Sequence, residues 1–134
     1  MLLEPAEREG ERVGRGQANV VARAGGTAIC ERCAVADTPL TRLAGLLGRR
    51  GLRPDEGLLV RPASAIHTCF MRFPIDAVFL DRELVVVDVV TDLRPWKVAV
   101  RRGAKAVLEL AAGESRRLGI RRGERLYLAG AAGI

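Results

Sequence analysis

Leu84 to Leu93, LVVVDVVTDL, carries five valines in ten residues. That density, more than any other feature, limits what the chain can fold into. β-Branched side chains lose rotamer freedom in a helix and pack well on a pleated sheet. The run therefore predicts a strand, and its near-continuous apolar character predicts one covered on both faces. Shorter runs repeat the theme at ANVVAR (18–23), TAICERCAVA (27–36), LLVRP (58–62), IDAVFL (75–80), AVLEL (106–110) and ERLYLAG (124–130). Turn residues punctuate them: Gly25-Gly26, the 81–83 step and Arg121-Arg122-Gly123.

One segment reads as a helix. In DTPLTRLAGLLGRRG (37–51), Asp37 or Thr38 can cap the N-terminus and Pro39 suits the first turn. Leu40, Leu43, Leu46 and Leu47 form one apolar stripe, and Gly48 or Gly51 can end the helix. RPWKVAVRRGAK (94–105) reads as an irregular connection, and residues 111–120 as one or two helical turns. Strands follow one another too closely for repeated βαβ crossovers. The expected fold is mostly β (α+β): a compact single domain with an antiparallel, barrel-like sheet of about seven or eight strands and one packed helix. Residues 1–17 lack apolar periodicity and are expected to be a loose N-terminal arm, leaving residues 18–134 as the β-rich domain.

A chain of 134 residues can bury roughly two thirds of its unfolded surface. Three cysteines, at 30, 33 and 69, are an odd number and too few for a disulfide scaffold. The first residues have neither the basic region nor the apolar stretch of a signal peptide, and no apolar run reaches membrane-spanning length. The expectation is a cytoplasmic protein with reduced thiols, no membrane association and an open oligomeric state. The formal charge is +6, and residues 101–125 hold eight basic against three acidic side chains. Such a patch could steer acidic partners. Aromatic residues do not interleave with these arginines, so nucleic-acid binding through the Arg116–Arg125 surface ranks only as an alternative.

The densest chemistry lies in IHTCFMRFPIDAVFLD (66–81). It contains the sole histidine, His67, together with Cys69, Met71, Arg72 and Asp76. Read as a hairpin, the alternation turns His67, Cys69 and Met71 one way and Ile66, Thr68 and Phe70 the other. Asp76 shares a face with Val78 and Leu80, so a buried face would bury the carboxylate and demand partners. Arg72 is the nearest candidate; backbone N–H groups are the structural alternative. Cys30-x-x-Cys33 and His67-x-Cys69 supply ligand types suited to tetrahedral zinc. On a strand, however, Cys30 and Cys33 point to opposite faces, so no metal and no cofactor is assigned. His67 and Cys69, roughly 7 Å apart along a strand, are too distant for a nucleophile–base pair.

Three elements of the sequence occur together: AVADTPLTRLAGLLGR, GLLVRPASAIHTCFMRFPIDAVFLD and VLELAAGESRRLGIRRGERL. In this the chain resembles the bacterial and archaeal family called domain of unknown function 192, over residues 30 to 128. The resemblance implies a small β-rich fold and no assigned activity. Many relatives carry an exported or lipid-anchored N-terminus, and many have an aromatic residue where this chain has Cys69.

The leading functional expectation is a non-catalytic ligand-binding or accessory module. Its polar pocket would lie around residues 66–81 and use His67, Met71, Arg72 and Asp76, with Trp96 and Glu109 as further candidates. Small polar molecules, glycans and peptides are the ligand classes considered. The alternative is a hydrolase or lyase with Asp76 and Glu109 as paired carboxylates.

Overall fold

The computed structural model describes residues 19–38, 41–42 and 45–130. Within them, the elements are β1 (Asn19–Arg23), β2 (Ala28–Ala36), β3 (Glu56–Val60), β4 (Ala65–His67) and β5 (Ile75–Leu80), then β6 (Val86–Leu93), β7 (Val98–Val100), β8 (Ala106–Ala111), α1 (Glu114–Arg117) and β9 (Leu126–Gly130). Seven strands form one sheet in the order β6-β5-β8-β3-β2-β1-β9, and β4 pairs with β7 as a separate ribbon. The expected N-terminal arm lies outside the described residues.

The sheet curls until its two edge strands approach each other. Val85 and Arg125, just ahead of β6 and β9, form a bridge. The Val86 N–H donates to the Glu124 carbonyl at 2.8 Å and the Leu126 N–H to the Leu84 carbonyl at 2.9 Å. Arg23 reinforces that corner, holding Glu124 through Nε and Nη2 at 2.6 and 2.9 Å and the Leu118 carbonyl through Nη1 at 2.7 Å. The result is a half-closed barrel.

The sheet has a core on each face. One cluster draws buried side chains from all seven strands, among them Val21, Cys30, Leu59, Val78, Leu108 and Leu126. The other packs Leu58, Ala77, Phe79 and Val107 beneath the β4–β7 ribbon, through Ile66 and Ala99, and beneath Leu46. This double cover explains why every residue of β5 is buried. Strand alternation sends Ile75, Ala77 and Phe79 into one cluster and Val78 and Leu80 into the other.

The structure corrects several expectations. The valine-rich run is an edge strand, and of the eight residues of β6 four are only partly buried and two are exposed; β5 and β8 hold the doubly covered positions instead. Not every neighbouring pair is antiparallel: β2 and β3 run parallel, with Arg32 opposite Glu56 and Ala36 opposite Val60. The connection through residues 37–55 is long enough to carry the chain back to the same end of the sheet. In that connection, residues 39, 40, 43 and 44, including two of the stripe leucines, lie outside the described residues. Thr41–Arg42 is helical, with the Gly45 N–H bonded to the Thr41 carbonyl at 2.9 Å. Gly45 takes φ +48° and leads into a turn over residues 45–48, so the helical path ends earlier than Gly48.

Residues 98–100, read as part of a loop, form β7 and pair with β4, Ile66 opposite Ala99. Residues 66–81 are therefore not a hairpin: β4 pairs with β7, whereas β5 lies between β6 and β8. Cys30 and Cys33 share one core cluster, contrary to strict alternation. Asn19 pairs with Cys33 but Val21 with Cys30, so three steps on β2 face two on β1, and this β-bulge turns both thiols inward.

Candidate functional site

β4 ends at His67 because Thr68 turns the chain. Thr68 is fully buried; its hydroxyl donates to the Arg94 carbonyl at 2.6 Å and accepts from the Lys97 N–H at 2.8 Å. Its carbonyl accepts the Met71 and Trp96 N–H groups at 3.1 and 3.0 Å. Two loops are thereby folded around one side chain. Phe70 and Trp96 are held at φ +67° and +68°, a region that is strained for bulky residues. Their rings meet at 4.6 Å between centroids, and both remain largely exposed.

This turn separates the residues expected to share a face. His67 is exposed, with Nδ1 accepting the Cys69 N–H at 3.1 Å. Met71 is buried beneath the ribbon. Arg72 is exposed, and Trp96 stands on the outer side with Phe70.

Asp76 is fully buried. One carboxylate oxygen accepts the Asp92 N–H at 2.9 Å. The other accepts the Gly113 N–H at 3.1 Å, the Ser115 N–H at 2.9 Å and the Ser115 hydroxyl at 2.6 Å. Among the described residues no arginine forms an ion pair with it, so the expected Arg72–Asp76 pair does not form. Asp76 instead ties β5 to the end of β6 and to the start of α1.

Glu109 sits on β8 opposite Ala77 of β5 and Leu58 of β3, while Asp76 is opposite Leu110. Directly paired residues share a sheet face. The two carboxyls therefore lie on opposite faces, and paired-carboxylate catalysis by Asp76 and Glu109 has no geometric basis.

Glu109 faces a cavity of about 530 Å³ between the ribbon and the turn at 45–47. Its walls include Arg42, Val60, Ile66, His67 and Met71. Glu109 is only 6% exposed, and its carboxyl has no hydrogen-bond partner among the described residues. Burial pushes its pKa up to about 8, so near neutral pH the carboxyl is mainly protonated. Across the cavity, Arg42 donates through Nη1 to the Pro62 carbonyl at 2.7 Å. Its Nε is buried and has no partner among the described residues. Arg42 was invisible to sequence reasoning because it counts there as one more polar helix residue. Of the six expected site residues, His67, Met71 and Glu109 line this cavity; Arg72, Asp76 and Trp96 do not.

The remaining chemistry is quiet. Cys30 beside it and burial together hold the Cys33 thiol above its usual range, as suits an inert core thiol. No cluster of three or more potential metal ligands occurs among the described residues. Within the basic surface, Arg117 pairs with Glu114, Arg122 with Asp88, and Arg125 stacks on Tyr127. No described helix is long and apolar enough to cross a membrane.

A family model described as DUF192, Uncharacterized ACR, matches residues 20–128. A UPF0127 protein of Pyrococcus abyssi is 39% identical over 82 residues, covering 56% of this chain and 67% of the relative. A protein of unknown function from Novosphingobium aromaticivorans superposes with a TM-score of 0.71 at 24% identity, covering 81% of this chain and 82% of the other. A Sinorhizobium meliloti protein described as a candidate transcription regulator superposes with a TM-score of 0.72 at 27% identity, covering 88% and 95%.

Proposed function

From the premise that the chain belongs to the DUF192 family, to which no activity is assigned, we propose that it is a non-catalytic ligand-binding module whose site is the cavity between the β4–β7 ribbon and the 45–47 turn. The observation that carries this reading is Glu109: a carboxyl only 6% exposed that faces an open cavity and has no hydrogen-bond partner among the described residues. A polar group in that position costs stability unless something hydrogen-bonds to it. A ligand in the cavity would supply that bond. The volume of about 530 Å³ suits a small organic molecule or a short peptide segment. Apolar walls at Val60, Ile66 and Met71 would bury its carbon skeleton, with Arg42, His67 and Glu109 orienting its polar groups. Among the described residues no nucleophile–base pair lines the cavity, which favours binding over catalysis. A cytoplasmic setting is part of this reading, argued from the sequence alone: three cysteines are too few and odd in number for a disulfide framework.

The test is a thermal-shift screen of small polar molecules, glycans and short peptides, repeated with Glu109→Leu. A ligand of the native state raises apparent stability. Hits whose shift is lost in Glu109→Leu support the reading. Hits unaffected by Glu109→Leu and by Met71→Ala would move the site elsewhere on the molecule.

A further inference from the structure

Three independent features meet at this cavity, and together they describe a more specific ligand. The first is a free strand edge. Ile66 is paired with Ala99, the Arg101 N–H donates to the Ser64 carbonyl at 2.9 Å, and the Thr68 N–H to the Lys97 carbonyl at 2.8 Å. In an antiparallel ladder, hydrogen-bonded pairs alternate with non-bonded ones. The backbone groups of Ser64, Ile66 and Thr68 thus turn toward β7, and those of Ala65 and His67 turn to the other side. Ala65 and His67 have no backbone partner there among the described residues, and residues 62–67 form one wall of the cavity.

The second feature is Arg42. Its Nη1 is committed to the Pro62 carbonyl and its Nε is enclosed by protein atoms, while Nη2 makes no hydrogen bond among the described residues. A guanidinium is a permanent cation, and an N–H of its free nitrogen makes a charge-assisted bond to a carboxylate. The third is Glu109, more than nine-tenths buried, facing the same space without a hydrogen-bond partner among the described residues.

We infer that the cavity receives the C-terminal end of an extended peptide, added as a strand along the free edge of β4, with its terminal carboxylate on Nη2 of Arg42. Main-chain hydrogen bonds to Ala65 and His67 would supply affinity, and the guanidinium would set where the strand stops. Glu109 is mainly neutral at physiological pH, so it can donate a hydrogen bond without repelling the anion. This inference rests on the proposed ligand-binding role of the cavity and narrows it to one ligand class.

The experiment is an amide-resolved NMR titration of the full chain. Its probes are a mixed-sequence pool of N-acetylated tripeptides with free carboxylates, the same pool amidated at the C-terminus, the same pool N-methylated along the backbone, and acetate. The free-acid pool is expected to shift the Ala65 and His67 amides. Amidation, N-methylation, Arg42→Lys and Arg42→Gln should each weaken binding at least tenfold. Preserved spectral dispersion in the variants would show that the fold is intact. Equal binding of the acid and amide pools would overturn the carboxylate assignment. Acetate reproducing the same shifts, or undiminished binding of the N-methylated pool, would overturn the added strand. A different molecule binding the cavity while no peptide pool does would overturn this inference and leave the proposed function standing. No ligand of any class at the cavity would overturn both.

Discussion

Ser115 donates twice to the same oxygen of Asp76, through its hydroxyl at 2.6 Å and its backbone N–H at 2.9 Å. The two residues come from distant parts of the chain, and Gly113 adds a third bond to that oxygen at 3.1 Å. An acidic side chain inside an apolar strand is thus a structural staple: three elements stop at one carboxylate.

Replacing Asp76 should therefore damage the fold. Hydrogen bonds to a charged group are worth about 1.5–3 kcal/mol each, and buried donors left unpaired add to the loss. Asp76→Ala is expected to destabilise by about 3 kcal/mol or more, read as a lower urea midpoint. Ser115→Ala keeps the backbone bonds and should cost about 1–2 kcal/mol. A midpoint for Asp76→Ala within error of the parent would show that the staple carries no weight.

Glu109 makes stability depend on pH. Its folded-state pKa lies near 8, above the ordinary value of 4.5. Between these values the folded state holds a proton that the unfolded state has lost. Its stabilising effect is complete below about pH 4.5 and disappears as pH rises through 8. Stability should fall by about 1.4 kcal/mol per pH unit within that window, on the order of 5 kcal/mol in total. Glu109→Gln should remove this slope. Arg42 and His67 are the other ionisable groups lining the cavity, so the quantity to compare is the difference between parent and variant across pH 5 to 8. Parallel curves would contradict the burial argument.

Thr68 is the pivot of the exposed aromatic pair. Thr68→Val preserves shape but removes the hydroxyl that serves the Arg94 carbonyl and the Lys97 N–H. A loss of about 2 kcal/mol is expected. Trp96 is the sole tryptophan, so its fluorescence anisotropy reports directly on the loop. Anisotropy should fall in Thr68→Val as the strained Phe70–Trp96 arrangement loosens. An unchanged value would mean that ring contact alone holds the pair.

Gly57 marks a close approach of strands. A Cβ there would lie 2.8 Å from the Cys30 sulfur, 3.0 Å from the Glu109 carbonyl and 3.1 Å from Leu110 Cδ2. Gly57→Ala should cost about 2 kcal/mol by overpacking. Cys30→Ala in the same chain should recover part of that cost, since the sulfur is the nearest obstacle. Strictly additive effects in the double-mutant cycle would place the clash on the backbone instead.

What the sequence determined by itself was local. Valine-rich and alternating runs specified strands, because β-branched side chains favour a pleated surface whatever their neighbours. The parity of Asp76 with Val78 and Leu80 meant that a buried face there would bury the carboxylate and demand a set of donors. The sequence could not say which donors, since those come from Asp92, Gly113 and Ser115 through chain closure. Only the tertiary structure decided that β4 leaves β5 for β7, because three-residue strands carry too little pattern to specify a partner. It alone brought Arg42 and Glu109 to one cavity and kept Asp76 on the other side of the sheet. A cavity is a property of surfaces from distant segments, and no periodicity within one segment encodes which surfaces will meet.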